Sequence, residues 1–281
     1  MTLWHEAAVP LAWFVAAAAL LGLAVGNGLA VLSRRLPRAM EREWQAQIDE
    51  AAGGAARAAA ARCAPPAPCP QCESWRPWGA RLPLASWRRR EDCPGCGARA
   101  GWRYPVLETL SCLLFAACAW RFGPAPIALC AMALVAALLL LAWIDIETSL
   151  LPDALTLPLL WGGLLVNLDG GFTSLRMAVL GAAAGYGFLW LVFHVFRLCT
   201  GREGMGFGDF KLLAALGAWF GLEALPLLLL AASLAGVLGG GALALHGRAA
   251  RGQALPFGPY LALAGLAVLF LGGEPGLWRI L

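Results

Sequence analysis

Long apolar blocks separated by short polar breaks run along this chain, at positions 11–32, 106–122, 124–144, 154–168, 177–196, 210–222, 224–246 and 255–273. Blocks of this kind predict membrane-spanning helices, eight in all. A helix needs about 20 residues to cross the hydrocarbon core. The blocks starting at positions 106, 154 and 210 are short by that measure, which calls for buried polar ends or a locally thin bilayer. Seven spans with one re-entrant segment is the alternative count. Composition agrees: 60% of the 281 residues are hydrophobic and 14% are charged, against about 25% charged in soluble domains.

Charge sets the orientation. No Lys or Arg precedes the first block in "MTLWHEAAVP", and basic residues follow at once in "SRRLPR". This predicts an uncleaved span with its N-terminus outside rather than a secretion signal. Of the 21 Lys and Arg residues, 13 lie between positions 34 and 103. Arg197, Arg202 and Lys211 flank the stretch "GMGFGD", and Arg248 and Arg251 precede the last block. Only Arg121, Arg176 and Arg279 fall on the other side. The excess of basic residues on one side puts both termini outside and the large loop in the cytosol. The net charge of +4 therefore reports membrane orientation. A nucleic-acid partner is not expected, since no binding motif accompanies the basic residues.

The resulting plan is an all-α polytopic membrane protein of about eight transmembrane helices, with a zinc-binding cytosolic loop domain between the first two. Residues 1–32 form the first span, 33–104 the loop domain and 105–281 a membrane core of about seven spans. The loop begins Ala-rich, as a helical continuation, and turns Pro-rich, as a linker. It then carries "CPQC" and, twenty residues on, "CPGC". Each Cys-x-x-Cys turn aims two sulfurs at one point, so Cys69, Cys72, Cys93 and Cys96 complete a tetrahedral thiolate site for zinc. All four ligands come from protein, which makes the zinc structural. Redox chemistry of paired dithiols is the competing reading; the doubled motif favours metal. Cys112, Cys118, Cys130 and Cys199 read as small core residues.

Carboxylates in or beside spans are functional candidates by default. Asp145 directly follows "LVAALLLLAWI", and Asp209 opens "FKLLAALGAWFGL". They are 64 positions apart, yet two intervening spans return the chain to the same, cytosolic face. Gly204, Gly206 and Gly208 let the backbone before Asp209 bend and approach another backbone closely. A plain helix cap explains Asp209 equally well in isolation; its weight comes from the second carboxylate at the same depth. Two close aspartates cannot both ionise cheaply and share a proton. The ionised member then takes a proton from water while the protonated one polarises a peptide carbonyl, which is aspartic peptide hydrolysis. Glu147 and Asp153 are expected to be solvated at the interface, Lys211 to snorkel to headgroups by default or else to pair with a carboxylate, and Glu108 to make a polar contact. His5, His194 and His246 form no cluster.

These residues carry a resemblance. "WIDIETSLLPDALTLPLLW", "GMGFGDFKLLAALGAW", the paired "CPQC" and "CPGC", "RYPVLE" and "LPFGPYLALAG" are similar to segments of the bacterial type IV prepilin peptidases, membrane aspartic proteases of the GxGD class. The likeness covers nearly the whole chain. It implies that Asp145 and Asp209 are catalytic and that the four loop cysteines bind zinc. It also implies an enzyme of the inner membrane, with its active site at the cytosolic face, that cuts a short basic leader from prepilins or type II secretion pseudopilins. Methylation of the new N-terminal residue from S-adenosylmethionine is implied by the resemblance alone; no glycine-rich cofactor fingerprint is present, and the donor's binding residues are unknown. Two positions depart from the family pattern: Ala30 stands where Asn is common and Glu91 where Gly is frequent. The rival readings are a proton-coupled transporter, weakened by uneven spans and no internal repeat, and a scaffold docking partners through its zinc loop.

Overall fold

The computed structural model describes residues 11–52, 102–201, 205–245 and 256–272, and every regular element among them is helical. In chain order these are α1 (Leu11–Ala51), α2 (Arg103–Phe122), α3 (Pro126–Thr148), α4 (Asp153–Val166), α5 (Leu175–Thr200), α6 (Phe207–Phe220), a 3-10 turn (Leu222–Ala224), α7 (Leu225–Leu245) and α8 (Gly258–Leu271). One helix falls on each predicted block. Among the described residues five segments are long and apolar enough to cross a membrane: α1, α2, α3, α5, and the 3-10 turn continued by α7. The chain is a multi-pass membrane protein.

The helix ends differ from the block ends. α2 starts at Arg103 and reaches 20 residues, a full span where the apolar run suggested a short one. α1 runs on to Ala51. α8 has only 14 residues, because Phe257 is its N-cap and Pro259 lies in its first turn. Proline there fits a start, since the missing N–H has no partner in a first turn anyway. The short helices are therefore α4, α6 and α8, of 14 residues each.

The chain divides into two compact units, Met1–Pro124 and Ala125–Leu281. In the first, α1 and α2 approach through glycine. A Cβ on Gly22 would lie 2.5 Å from the Ser111 carbonyl oxygen, and one on Gly26 would lie 2.6 Å from that of Leu107. Beside this seam, buried Asn27 donates from Nδ2 to Oε1 of fully buried Glu108 at 2.8 Å. This is the polar contact expected of Glu108.

In the second unit α6 is the enclosed helix. Every residue from Asp209 to Trp219 is buried except Lys211, as an all-round apolar sequence requires. α4 and α5 pack against it along their lengths and α8 meets it as well. Gly181 of α5 faces Gly217 of α6 so closely that a Cβ on Gly181 would lie 2.5 Å from the Gly217 carbonyl oxygen. Trp219 ties α6 to α4 by donating from Nε1 to the Leu159 carbonyl at 2.8 Å. α4 and α6 run parallel: Asp153 pairs with Lys211 near their starts, and Asn167 bonds Ala218 and Trp219 near their ends.

Candidate active site

The starts of the three short helices gather at the end of α3. Asp145 lies in the last turn of α3 and is 4% exposed. Its Oδ2 accepts the Gly258 backbone N–H at 3.0 Å. Only glycine permits this approach, since a Cβ at position 258 would lie 2.6 Å from the same oxygen. A carboxylate at a helix C-terminus meets the negative end of that helix's dipole. The N-terminus of α8, delivered by Gly258, offsets it.

Asp209 is the third residue of α6 and is 7% exposed. The helix is capped by Gly206, whose backbone is extended, and no side chain caps it. Asp209 is therefore not the N-cap, and its carboxylate remains available. It has the Gly206 backbone N–H in reach and interacts electrostatically with Asp145. The two aspartates singled out by sequence are thus brought together, each buried and each with a backbone donor. Phe207 and Phe210, on either side of Asp209 in sequence, meet Phe193 of α5 in tilted and edge-on contacts at ring separations of 5.2 and 5.8 Å.

The link from α3 to α4 passes through this site. Ser149 adopts left-handed backbone (φ 53°) and donates its N–H to the Asp145 carbonyl at 2.8 Å, closing α3. The turn sends Leu151 inward. A Cβ on Gly208 would lie 2.7 Å from Leu151 Cβ, and one on Gly258 would lie 3.2 Å from Leu151 Cδ1. Next comes Asp153, whose Oδ1 and Oδ2 accept from Lys211 Nζ at 2.6 and 2.7 Å. Lys211 therefore does not snorkel. The parallel starts of α4 and α6 put the Asp153 carboxylate within hydrogen-bond distance of it. Glu147 is exposed as expected and accepts the Trp143 Nε1 proton at 2.8 Å. A groove of about 330 Å³ opens between α7 and the start of α8, lined by Val237, Pro256, Phe257 and Tyr260 among others.

Cys69, Cys72, Cys93 and Cys96 lie outside the described residues, as do Gly204, His5 and His246. Among the described residues no group of three or more His, Cys, Asp or Glu side chains is placed to hold a metal ion. Cys118 is buried and Cys112 and Cys130 partly so, but Cys199 is exposed at the end of α5 rather than in a core. His194 bonds through Nδ1 to the Trp190 carbonyl of its own helix. Gly258, Leu151 and Asn167 escaped the sequence reading. "FGP" at a helix start was the available signal for Gly258; Leu151 and Asn167 had none.

A family model for the bacterial peptidase A24 N-terminal domain matches residues 20–122, and one for the type IV leader peptidase family matches residues 132–241. A prepilin leader peptidase/N-methyltransferase of Burkholderia pseudomallei is 48% identical, over 95% of this chain and 88% of its own. The chain belongs to the type IV leader peptidase family. Members of the same name from Aeromonas hydrophila and Pseudomonas aeruginosa are 44% and 45% identical, over 100% and 96% of this chain and 99% and 94% of theirs. The leader peptidase match falls within the second unit and spans both Asp145 and Asp209. No solved structure matches the chain.

Proposed function

We propose that this family member is an aspartic endopeptidase acting through Asp145 and Asp209, and that it removes the basic leader from type IV prepilins or type II secretion pseudopilins. The observation that carries the reading is the meeting of two buried, electrostatically interacting carboxylates in one unit, each beside a backbone N–H. Such a pair shares one proton. The ionised carboxylate removes a proton from water as the oxygen attacks the scissile carbonyl carbon, and the protonated carboxylic acid donates to the carbonyl oxygen. Collapse of the tetrahedral intermediate returns a proton to the leaving amine. General acid–base work of this kind is typically worth about 10² to 10⁴ in rate. The purified protein, incubated in detergent with a prepilin, releases a leader peptide; a transporter or scaffold releases none.

The relatives' names include an N-methyltransferase, and we assign the same second activity to this chain, with S-adenosylmethionine supplying the methyl group. The leader's basic residues suit an approach from the cytosolic side, where the charge distribution places the loop of residues 33–104. Methylation then follows cleavage and depends on that loop. The Asp209→Asn variant should methylate a pre-cleaved pilin; if wild type does so and the variant does not, the two activities share one site. Zinc held by Cys69, Cys72, Cys93 and Cys96 remains part of this reading on the strength of motif spacing. One zinc per chain, lost in Cys69→Ser, is the expected metal analysis, and a metal-free redox dithiol overturns it. The eight helices, crossing the inner membrane with the aspartates at its cytosolic face, complete the reading.

A further inference from the structure

Asp145 and Asp209 stand on separate helices, and their backbone donors orient each carboxylate without fixing one against the other. We propose that the α3–α4 connector does so, with Leu151 as a spacer and the Asp153–Lys211 pair as a clamp, so that all three are positioning residues for the hydrolysis. The proposal rests on the catalytic reading of the two aspartates.

The argument is one of helix geometry. Gly208 and Lys211 are three residues apart in α6 and share one face. Asp209 lies between them in sequence and projects about 100° away from Gly208 around the axis. Leu151 packs against the Gly208 position, and Asp153 grips Lys211 with both carboxylate oxygens. The connector therefore grips the face of the first turn of α6 that carries Gly208 and Lys211, at two points one turn apart, and so opposes rotation of Asp209 about the helix axis. A rotation of about 20° would swing a carboxylate about 6 Å from the axis by about 2 Å. Misplacement by about 1 Å can already lower a rate about 100-fold.

Leu151 reaches the other aspartate too. Its Cδ1 packs on the Gly258 position, whose N–H holds Asp145 Oδ2. One side chain is therefore wedged between the glycine preceding Asp209 and the glycine bonded to Asp145. Both glycines leave the slot that a leucine fills, and the left-handed turn at Ser149 directs the leucine there. The clamp pair is 28% and 56% exposed, so its loss leaves no buried charge behind.

The test is steady-state cleavage of a prepilin by the purified full chain in detergent, with thermal unfolding measured alongside. Leu151→Ala should lower kcat at least about tenfold with KM within about twofold, and Leu151→Met should restore most of it. Asp153→Asn and Lys211→Gln should each lower kcat several-fold at an unchanged unfolding midpoint. Their double variant should lose no more than either alone, and the exchange Asp153→Lys with Lys211→Asp should recover activity. Wild-type kcat in Leu151→Ala, or a rise in KM alone, overturns the proposal, as do additive effects of Asp153→Asn and Lys211→Gln. If Leu151→Ala does not insert, the exposed pair decides by itself. Asp145→Asn is assayed in parallel: cleavage by that variant refutes the catalytic reading, whereas an inactive Asp145→Asn beside a fully active Leu151→Ala refutes only the positioning role.

Discussion

α4 and α6 lie side by side, and their two ends treat buried polar groups in opposite ways. At the C-terminal ends stands Asn167. Its Nδ2 donates to the carbonyls of Ala218 and Trp219 at 2.8 and 3.0 Å, and its Oδ1 accepts from the backbone N–H groups of Phe172 and Thr173 at 2.8 and 2.9 Å. An amide has two donor hydrogens and two acceptor lone pairs, so nothing of Asn167 is left over. At the N-terminal ends stand Asp145 and Asp209, each with one backbone donor among the described residues. The saturated end is a fastener, whereas the unsaturated end retains bonding capacity that a water and a peptide can use.

The comparison is broken most directly at the aspartates. Asp145→Asn or Asp209→Asn should each lower cleavage by about 10³ or more while the unfolding midpoint stays level or rises, because removing one of two facing carboxylates relieves repulsion. Detectable cleavage near the wild-type rate would show that these carboxylates are not the reacting groups. Gly258→Ala comes next. Its Cβ would press on Asp145 Oδ2 from 2.6 Å, so a loss of about 100-fold in kcat is expected, read in the same assay. Asn167→Ala should invert this pattern. Leaving buried carbonyls and N–H groups unpaired costs about 3 kcal/mol of stability, seen as an earlier thermal transition, with cleavage per folded molecule unchanged. Glu147→Gln should do least. That carboxylate is only two residues from Asp145 but exposed, and its cleavage rate should stay within about twofold of wild type.

The aspartates were legible in the sequence because charge inside an apolar chain is conspicuous and because counting spans returns both to one face. The eight helices were legible because each is written as a block. Glu108 was legible as a group needing a partner, although Asn27, 81 positions away, was not nameable. Gly258 lies 113 positions from the carboxylate it holds, and the local chemistry of "FGP" says only that a helix starts there. Leu151 is one leucine among many, and only the slot between two glycines distinguishes it. Lys211 misled for a related reason: snorkelling is the default for an isolated lysine, and its isolation depended on how α4 lies beside α6. Local pattern specifies elements and flags costly residues, while the partner of a residue depends on packing that no short window contains.

The short helices have a consequence for solvent. α4, α6 and α8, at 14 residues each, are about 21 Å long, and the hydrocarbon core is about 30 Å thick. All three begin at the aspartates. Lipid against the exposed face of α4, which carries Leu157, Trp161 and Leu165, is expected to thin to match a helix of that length. Thinning on that side would bring bulk water nearer to the helix starts that hold Asp145 and Asp209. Cleavage is then expected to fall as the acyl chains of the lipid around the protein lengthen, with no residue altered.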